Sequence, residues 1–120
     1  MESTIMALPI LPGKMEAVKG MFKTIRDEKM KENERVDKIA GVEKEQDFVQ
    51  STPMGDMLYM YIESKDIQKT LAAFGSLAAS KDPYAVWFDE ELKKNTGVDI
   101  SQPPTVAPPE NVLSYHKSFL

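Results

Sequence analysis

The run from Phe48 to Glu63, Phe-Val-Gln-Ser-Thr-Pro-Met-Gly-Asp-Met-Leu-Tyr-Met-Tyr-Ile-Glu, constrains the fold of this chain more than any other stretch. It reads as two β-rich segments joined by Thr52-Pro53-Met54-Gly55-Asp56. Pro53 presets the φ that the first central turn position wants, and Gly55 can take the positive φ that closes a short loop. With Thr52 opposite Asp56 across a three-residue loop and Gly55 as bulge, the register follows. Phe48 then faces Met60, Gln50 faces Leu58 and Gln46 faces Ile62, an apolar side expected to lie against helices. On the other side Val49 faces Tyr59, Asp47 faces Tyr61 and Glu45 faces Glu63. That side mixes aromatic rings with carboxylates, and a partner or ligand is expected there.

The remaining segments supply the cover. Thr4 to Leu11 is apolar on both parities, as in a strand covered on both faces, with a bulge or unpaired position expected at Pro9. Leu-Pro-Gly-Lys at 11–14 breaks it and starts a helix from about Lys14 to Lys38. Met15, Val18, Phe22, Ile25, Val36 and Ala40 form its apolar stripe, and Gly41 suits the position after its end. Lys29 and Asn33 interrupt the stripe, so either they enter a pocket or the helix overhangs the sheet. Val42 to Thr52 and Met57 to Glu63 are the hairpin strands. Ser64 or Asp66 caps a helix ending near Ala79, and Asp82-Pro83 opens another that Gly97 ends. Tyr84, Trp87, Phe88 and Leu92 form the buried face of that last helix.

Beyond Ile100 the composition changes. Residues 101–110 hold four of the eight prolines and should run extended. They lead to a terminal strand expected at 111–117. The order strand, helix, strand, strand, helices, strand predicts a single α+β domain over 1–120, of the ferredoxin-like split βαβ kind. It has a four-stranded antiparallel sheet with helices on one face. The uncovered face is too apolar for free solvent, so a sheet-to-sheet homodimer is expected.

A net charge of -4, with basic residues interleaved among acidic ones at 26–38, argues against a nucleic-acid partner. There is no cysteine, which removes disulfides, thiolate zinc sites and cysteine nucleophiles. The N-terminal run lacks a positive leader and is broken by Pro9 and Pro12, and no apolar run is long enough to span a bilayer. A soluble cytoplasmic protein, with no membrane partner, is the expectation.

Three stretches carry a resemblance: Leu-Pro-Gly-Lys at 11–14, Gln-Ser-Thr-Pro-Met-Gly-Asp at 50–56 and Asp-Pro-Tyr-Ala-Val-Trp-Phe at 82–88. With them the chain, up to Ile100, resembles the dimeric α/β-barrel superfamily, which includes antibiotic-biosynthesis-type monooxygenases, and within it an uncharacterised bacterial family. The resemblance implies a homodimer that binds or transforms a small organic molecule in an apolar pocket, by cofactor-independent oxidation or isomerisation. The alternative is a non-catalytic, homodimeric ligand-binding or interaction protein, and whether the chain is an enzyme stays open.

The candidate catalytic residues are Tyr61, Glu63 and His116; the candidate ligand-binding residues are Glu45, Asp47, Tyr59 and Trp87. Glu45 and Glu63, if opposed, are like charges that a proton, a hard cation or a neighbouring base such as Arg26 must relieve. Two carboxylates make a poor metal site, and a lone histidine rules out a multi-histidine one, so no metal is expected. Asp47 and Tyr61 can orient a substrate hydroxyl or simply bond at an interface. Trp87, with Tyr84 and Phe88, can wall a flat ligand, although aromatic residues at this spacing also build ordinary cores. No Gly-rich phosphate loop or flavin fingerprint is present, and no cofactor is expected.

Overall fold

The computed structural model describes residues 1–104, 107–115 and 117. Its elements run β1 (Glu2–Pro9), α1 (Met15–Thr24), a π-helical turn (Ile25–Lys29), α2 (Met30–Ala40), β2 (Val42–Thr52), β3 (Gly55–Ser64), α3 (Ile67–Ala79) and α4 (Pro83–Thr96). The strands form an antiparallel sheet in the order β1-β3-β2, so the third strand lies between the first two as expected. The architecture is α+β and consistent with a ferredoxin-like fold. The sheet has three strands, not four: residues 111–115 form no strand, and His116 lies outside the described residues. With Pro108, Pro109 and Glu110 before it, this stretch reaches no sheet edge to pair with. No helix among the described residues is long and apolar enough to cross a membrane.

Local chemistry sets the helix ends as the residues suggest. Asp66 accepts a hydrogen bond from the Lys69 N–H at 3.1 Å to open α3, and Asp82 accepts one from the Ala85 N–H at 3.0 Å to open α4. Gly41 and Gly97 end α2 and α4 at φ of 83° and 79°. The long helix over 15–40 is continuous but interrupted by the π turn, which adds a residue to one turn and shifts the phase of everything after it. Lys29 leaves the apolar stripe in consequence and sits 4.9 Å from the centre of the Trp87 ring.

The hairpin is where the structure departs most from the expected register. Thr52 pairs with Gly55, so the loop is the two residues Pro53 and Met54. The Thr52 hydroxyl accepts from the Met54 N–H at 3.1 Å and donates to the Gly55 carbonyl at 2.6 Å. This side-chain bridge closes the turn one residue earlier than a glycine bulge would, and Gly55, at φ 123°, becomes the first residue of β3. Val49 therefore pairs with Leu58, Phe48 with Tyr59, Asp47 with Met60, Gln46 with Tyr61, Glu45 with Ile62 and Lys44 with Glu63. A slip of one residue exchanges the faces of a whole strand. Glu45, Asp47 and Val49 lie on the helix side, and Phe48 lies on the open side. The expected bulge at Pro9 is also absent: Pro9 pairs with Met57 at the end of the strand, and the irregularity falls in β2 between Val42 and Lys44.

The core sits between the sheet and the helices. Ile10, Val18, Met21, Leu58, Met60 and Leu92 make its main cluster, and Ile25, Val36 and Tyr84 a second one beside it. Two polar bonds tie the layers. The Thr70 hydroxyl donates to the Ala40 carbonyl at 2.8 Å, joining α3 to the end of α2. Arg35 of α2 pairs with both Asp82 oxygens at the start of α4, at 2.9 and 3.0 Å.

Candidate functional site

A cavity of about 420 Å³ lies between the helices and the sheet. Its walls are apolar for the most part: Met6 and Leu8 from β1, Met60 and Ile62 from β3, Val36 from α2, Leu71 and Phe74 from α3, Phe88 and Leu92 from α4. The alternation of β1 and β3 delivers these side chains to one face, since Met6 pairs with Met60 and Leu8 with Leu58.

One end of the cavity is polar. Asn33, Asp37, Glu45 and Tyr84 line it, from α2, β2 and α4. The Tyr84 hydroxyl donates to Asn33 Oδ1 at 2.8 Å. The Asn33 amide lies 3.4 Å from both Asp37 Oδ2 and Glu45 Oε1. Asn33 and Asp37 share a helix face because they are four residues apart. The Arg35–Asp82 pair holds the start of α4 against α2, and so keeps Tyr84 within reach of Asn33. The Arg35 guanidinium, hydrogen-bonded to Asp82, also holds that carboxyl below the usual carboxylate range.

Glu45 is the hub of a three-carboxylate cluster, close enough to Asp37 and Asp47 to raise the titration range of both. Burial, followed by the bond to Glu45 and its charge, pushes the Asp37 carboxyl up to about 9. Burial, with the charge of Glu45 next, does the same for Asp47. Both aspartates therefore keep their protons at neutral pH, the expected response when like charges crowd into a site poor in water. Burial and the same acidic neighbours push the Tyr84 phenol further up, so it stays a donor. None of the ion pairs among the described residues involves Asp37, Glu45 or Asp47. Asp47 Oδ1 is buried without a hydrogen-bond partner.

The far end is closed by the chain after α4. Ile100 donates its N–H to Asp89 at 2.7 Å, and Ser101 donates N–H and hydroxyl to Asp99 at 2.9 and 2.6 Å. The Ser101 hydroxyl above all holds the Asp99 carboxyl low, while burial raises Asp89. Gly75 makes the approach feasible, because a Cβ there would meet the Ile100 carbonyl at 3.1 Å. Gln102, Pro104 and Ala107–Pro109 then border the cavity.

The expected site residues are divided between three places. Glu45 and Asp47 are in the half-buried cluster on the helix side, opposite Ile62 and Met60 rather than Glu63 and Tyr61. Tyr59, Tyr61 and Glu63 lie on the open side of the sheet. There the Tyr61 hydroxyl donates to Glu63 Oε2 at 2.7 Å, and the Tyr59 hydroxyl to Gln50 Oε1 at 2.9 Å. The bond to Glu63 holds the Tyr61 proton above the usual phenol range. Trp87 packs at a ring distance of 5.7 Å from Tyr84, under Lys29 and outside the cavity wall. Asp37 escaped notice in the sequence. Its signal was the polar pair Asn33 and Asp37 at helical spacing around the core residue Val36. Among the described residues, no group of three His, Cys, Asp or Glu side chains is arranged to hold a metal ion.

Fold and cavity together define a small α+β protein with a largely apolar cavity that has an acidic end. No family model and no curated protein matches the chain. Among solved structures, it is similar to the crystal structure of L-rhamnose mutarotase FA22100 from Formosa agariphila, at a TM-score of 0.62 and 14% identity. The match covers 97% of this chain and 100% of that one, and it concerns the fold.

Proposed function

We propose that the chain binds a small, largely apolar organic molecule in the cavity and moves a proton on it, as an isomerase does. The observation that carries this is the placement of two carboxyl groups, Asp37 and Glu45, together at the polar end of an otherwise apolar cavity, where burial raises Asp37. Proton shuttling needs a donor and an acceptor on one substrate, and environments that separate two carboxyl groups in acidity supply both. Asp37 is the donor in this reading, Glu45 the acceptor, and Asn33 and Tyr84 orient the reacting group. The similarity to a fold that hosts a mutarotase agrees with isomerase chemistry without choosing the substrate.

The test is deuterium exchange from solvent into a panel of small carbonyl compounds and cyclic hemiacetals, followed by NMR. Wild-type protein should accelerate exchange or anomer interconversion for part of the panel. Asp37→Asn should lose about 10²- to 10⁴-fold of that rate while still binding. Wild-type binding without any acceleration would instead favour a ligand carrier, the reading in which the polar groups only satisfy one another.

The open side of the sheet serves association in this account. Ile5 and Phe48 are 41% and 52% exposed there, beside Tyr59 and Tyr61. A second copy packed on this face would cover them, and light scattering that finds only monomer would remove this part of the proposal.

A further inference from the structure

Among the described residues, the cavity wall contains acids and no Lys, Arg or His. Asp37 and Glu45 line its polar end, and Asp99, paired with Lys93 at 3.3 Å, lines its far end. Behind the wall, Asp47 leaves one buried oxygen unpaired. We infer that the ligand is a cationic amphiphile: an apolar body filling the chamber and a protonated amine seated among Asp37, Glu45 and Tyr84. This rests on the binding reading above and adds the charge of the ligand.

Complementarity carries the choice. A carboxylate or phosphate head would meet Glu45 with no cation to offset it, and burial makes such repulsion costly. A neutral hydroxyl can bond to the cluster but brings no positive charge to its carboxyls. An ammonium donates up to three hydrogen bonds, and Asp37, Glu45 and Asn33 Oδ1 offer acceptors for them. Its arrival favours loss of a carboxyl proton, so binding releases protons to solvent. The charged groups around the cluster allow this. Lys38 and Lys44 line an outer groove with Glu34 and Glu43 that Asp37 and Glu45 also reach, and they form an ion pair with neither acid. Arg35 is engaged by Glu32 and Asp82.

The experiment compares phenethylamine, 2-phenylethanol and 3-phenylpropionate on the intact chain by calorimetry and protein NMR. The amine should bind at least tenfold more tightly than the alcohol, and the carboxylate not at all. Amine affinity should rise from pH 6 to pH 8, with proton release seen as a dependence of the heat on buffer ionisation. Glu45→Gln should lower amine affinity at least tenfold and leave the alcohol within twofold. Should that variant fail to fold, the pH dependence of the wild type decides. Equal binding of amine and alcohol overturns the inference and leaves the cavity reading standing. Preference for the carboxylate overturns it too. Binding of none of the three, with no resonance of a cavity residue moving, overturns both.

Discussion

The two faces of the one sheet are built from the same three strands and do different work. Toward the helices, β3 presents Leu58, Met60 and Ile62, all 3% exposed or less, and β2 sets Asp47 and Glu45 beside them. Toward the open side the same strands present Tyr59, Tyr61, Phe48 and Gln46. Carboxylates stand where an apolar layer would be expected, and a large aromatic ring stands out in solvent. That inversion teaches where the chemistry sits. Acids on an open face would be ordinary solvated groups, whereas acids under the helices must share protons and hydrogen bonds to be tolerated.

Substitutions can break this contrast at several strengths. Truncation on the closed side should cost most: Leu58→Ala is expected to lose about 2–5 kcal/mol in urea unfolding. The matching change on the open side, Phe48→Ala, should cost about 1 kcal/mol at dilute concentration, since half of that ring is already in water. Equal losses would show that both faces are buried alike. Next comes Gly75→Ala, which pushes the Ile100 carbonyl away from α3; about 1–3 kcal/mol is expected from such crowding. Cavity ligands should dissociate faster from it in stopped-flow measurements.

Acidity discriminates the faces more finely. Asp37 and Asp47 have carboxyl groups raised in the folded state, so the unfolded chain releases their protons first as pH rises. Their contribution is fully present below about pH 4 and is lost as pH climbs toward about 9. Melting temperature should therefore fall between pH 5 and pH 9. Asp47→Asn should flatten that slope and melt higher than wild type at pH 8, because the amide stays neutral and can donate to Glu45. Smallest of all, Tyr61→Phe on the open side should shift stability by no more than about 0.5 kcal/mol. Its effect should appear in sedimentation instead, as weaker self-association.

Much of this was legible in the residues. Asp66, Asp82-Pro83, Gly41 and Gly97 announced the helix ends, and the apolar periodicities gave an α+β sheet with its third strand central. The register was not legible, because two turn chemistries competed over five residues. Pro53 and Gly55 suit a three-residue loop, but the Thr52 hydroxyl, bonded at both ends, closes a two-residue one. A single residue of slip then sent Glu45 and Asp47 to the opposite face from the one their alternation suggested. Asp37 was hidden for a different reason: it flanks the apolar stripe beside Val36, and a carboxylate at the edge of such a stripe reads as an ordinary solvated group. The terminal strand failed because β propensity at 111–115 is a local preference, and the described stretch pairs with neither sheet edge, β1 or β2.

The central claim is that β2 carries its acids inward to a shared, proton-holding cluster at the end of the cavity. Carbon-13 NMR titration of the side-chain carboxyls of Asp37 and Asp47 reads that directly. Both resonances should remain those of protonated carboxyls through neutral pH and move only as the pH approaches 9. If both titrate near 4, as solvated aspartates do, the cluster is open to water and the account of the cavity as the functional site is contradicted.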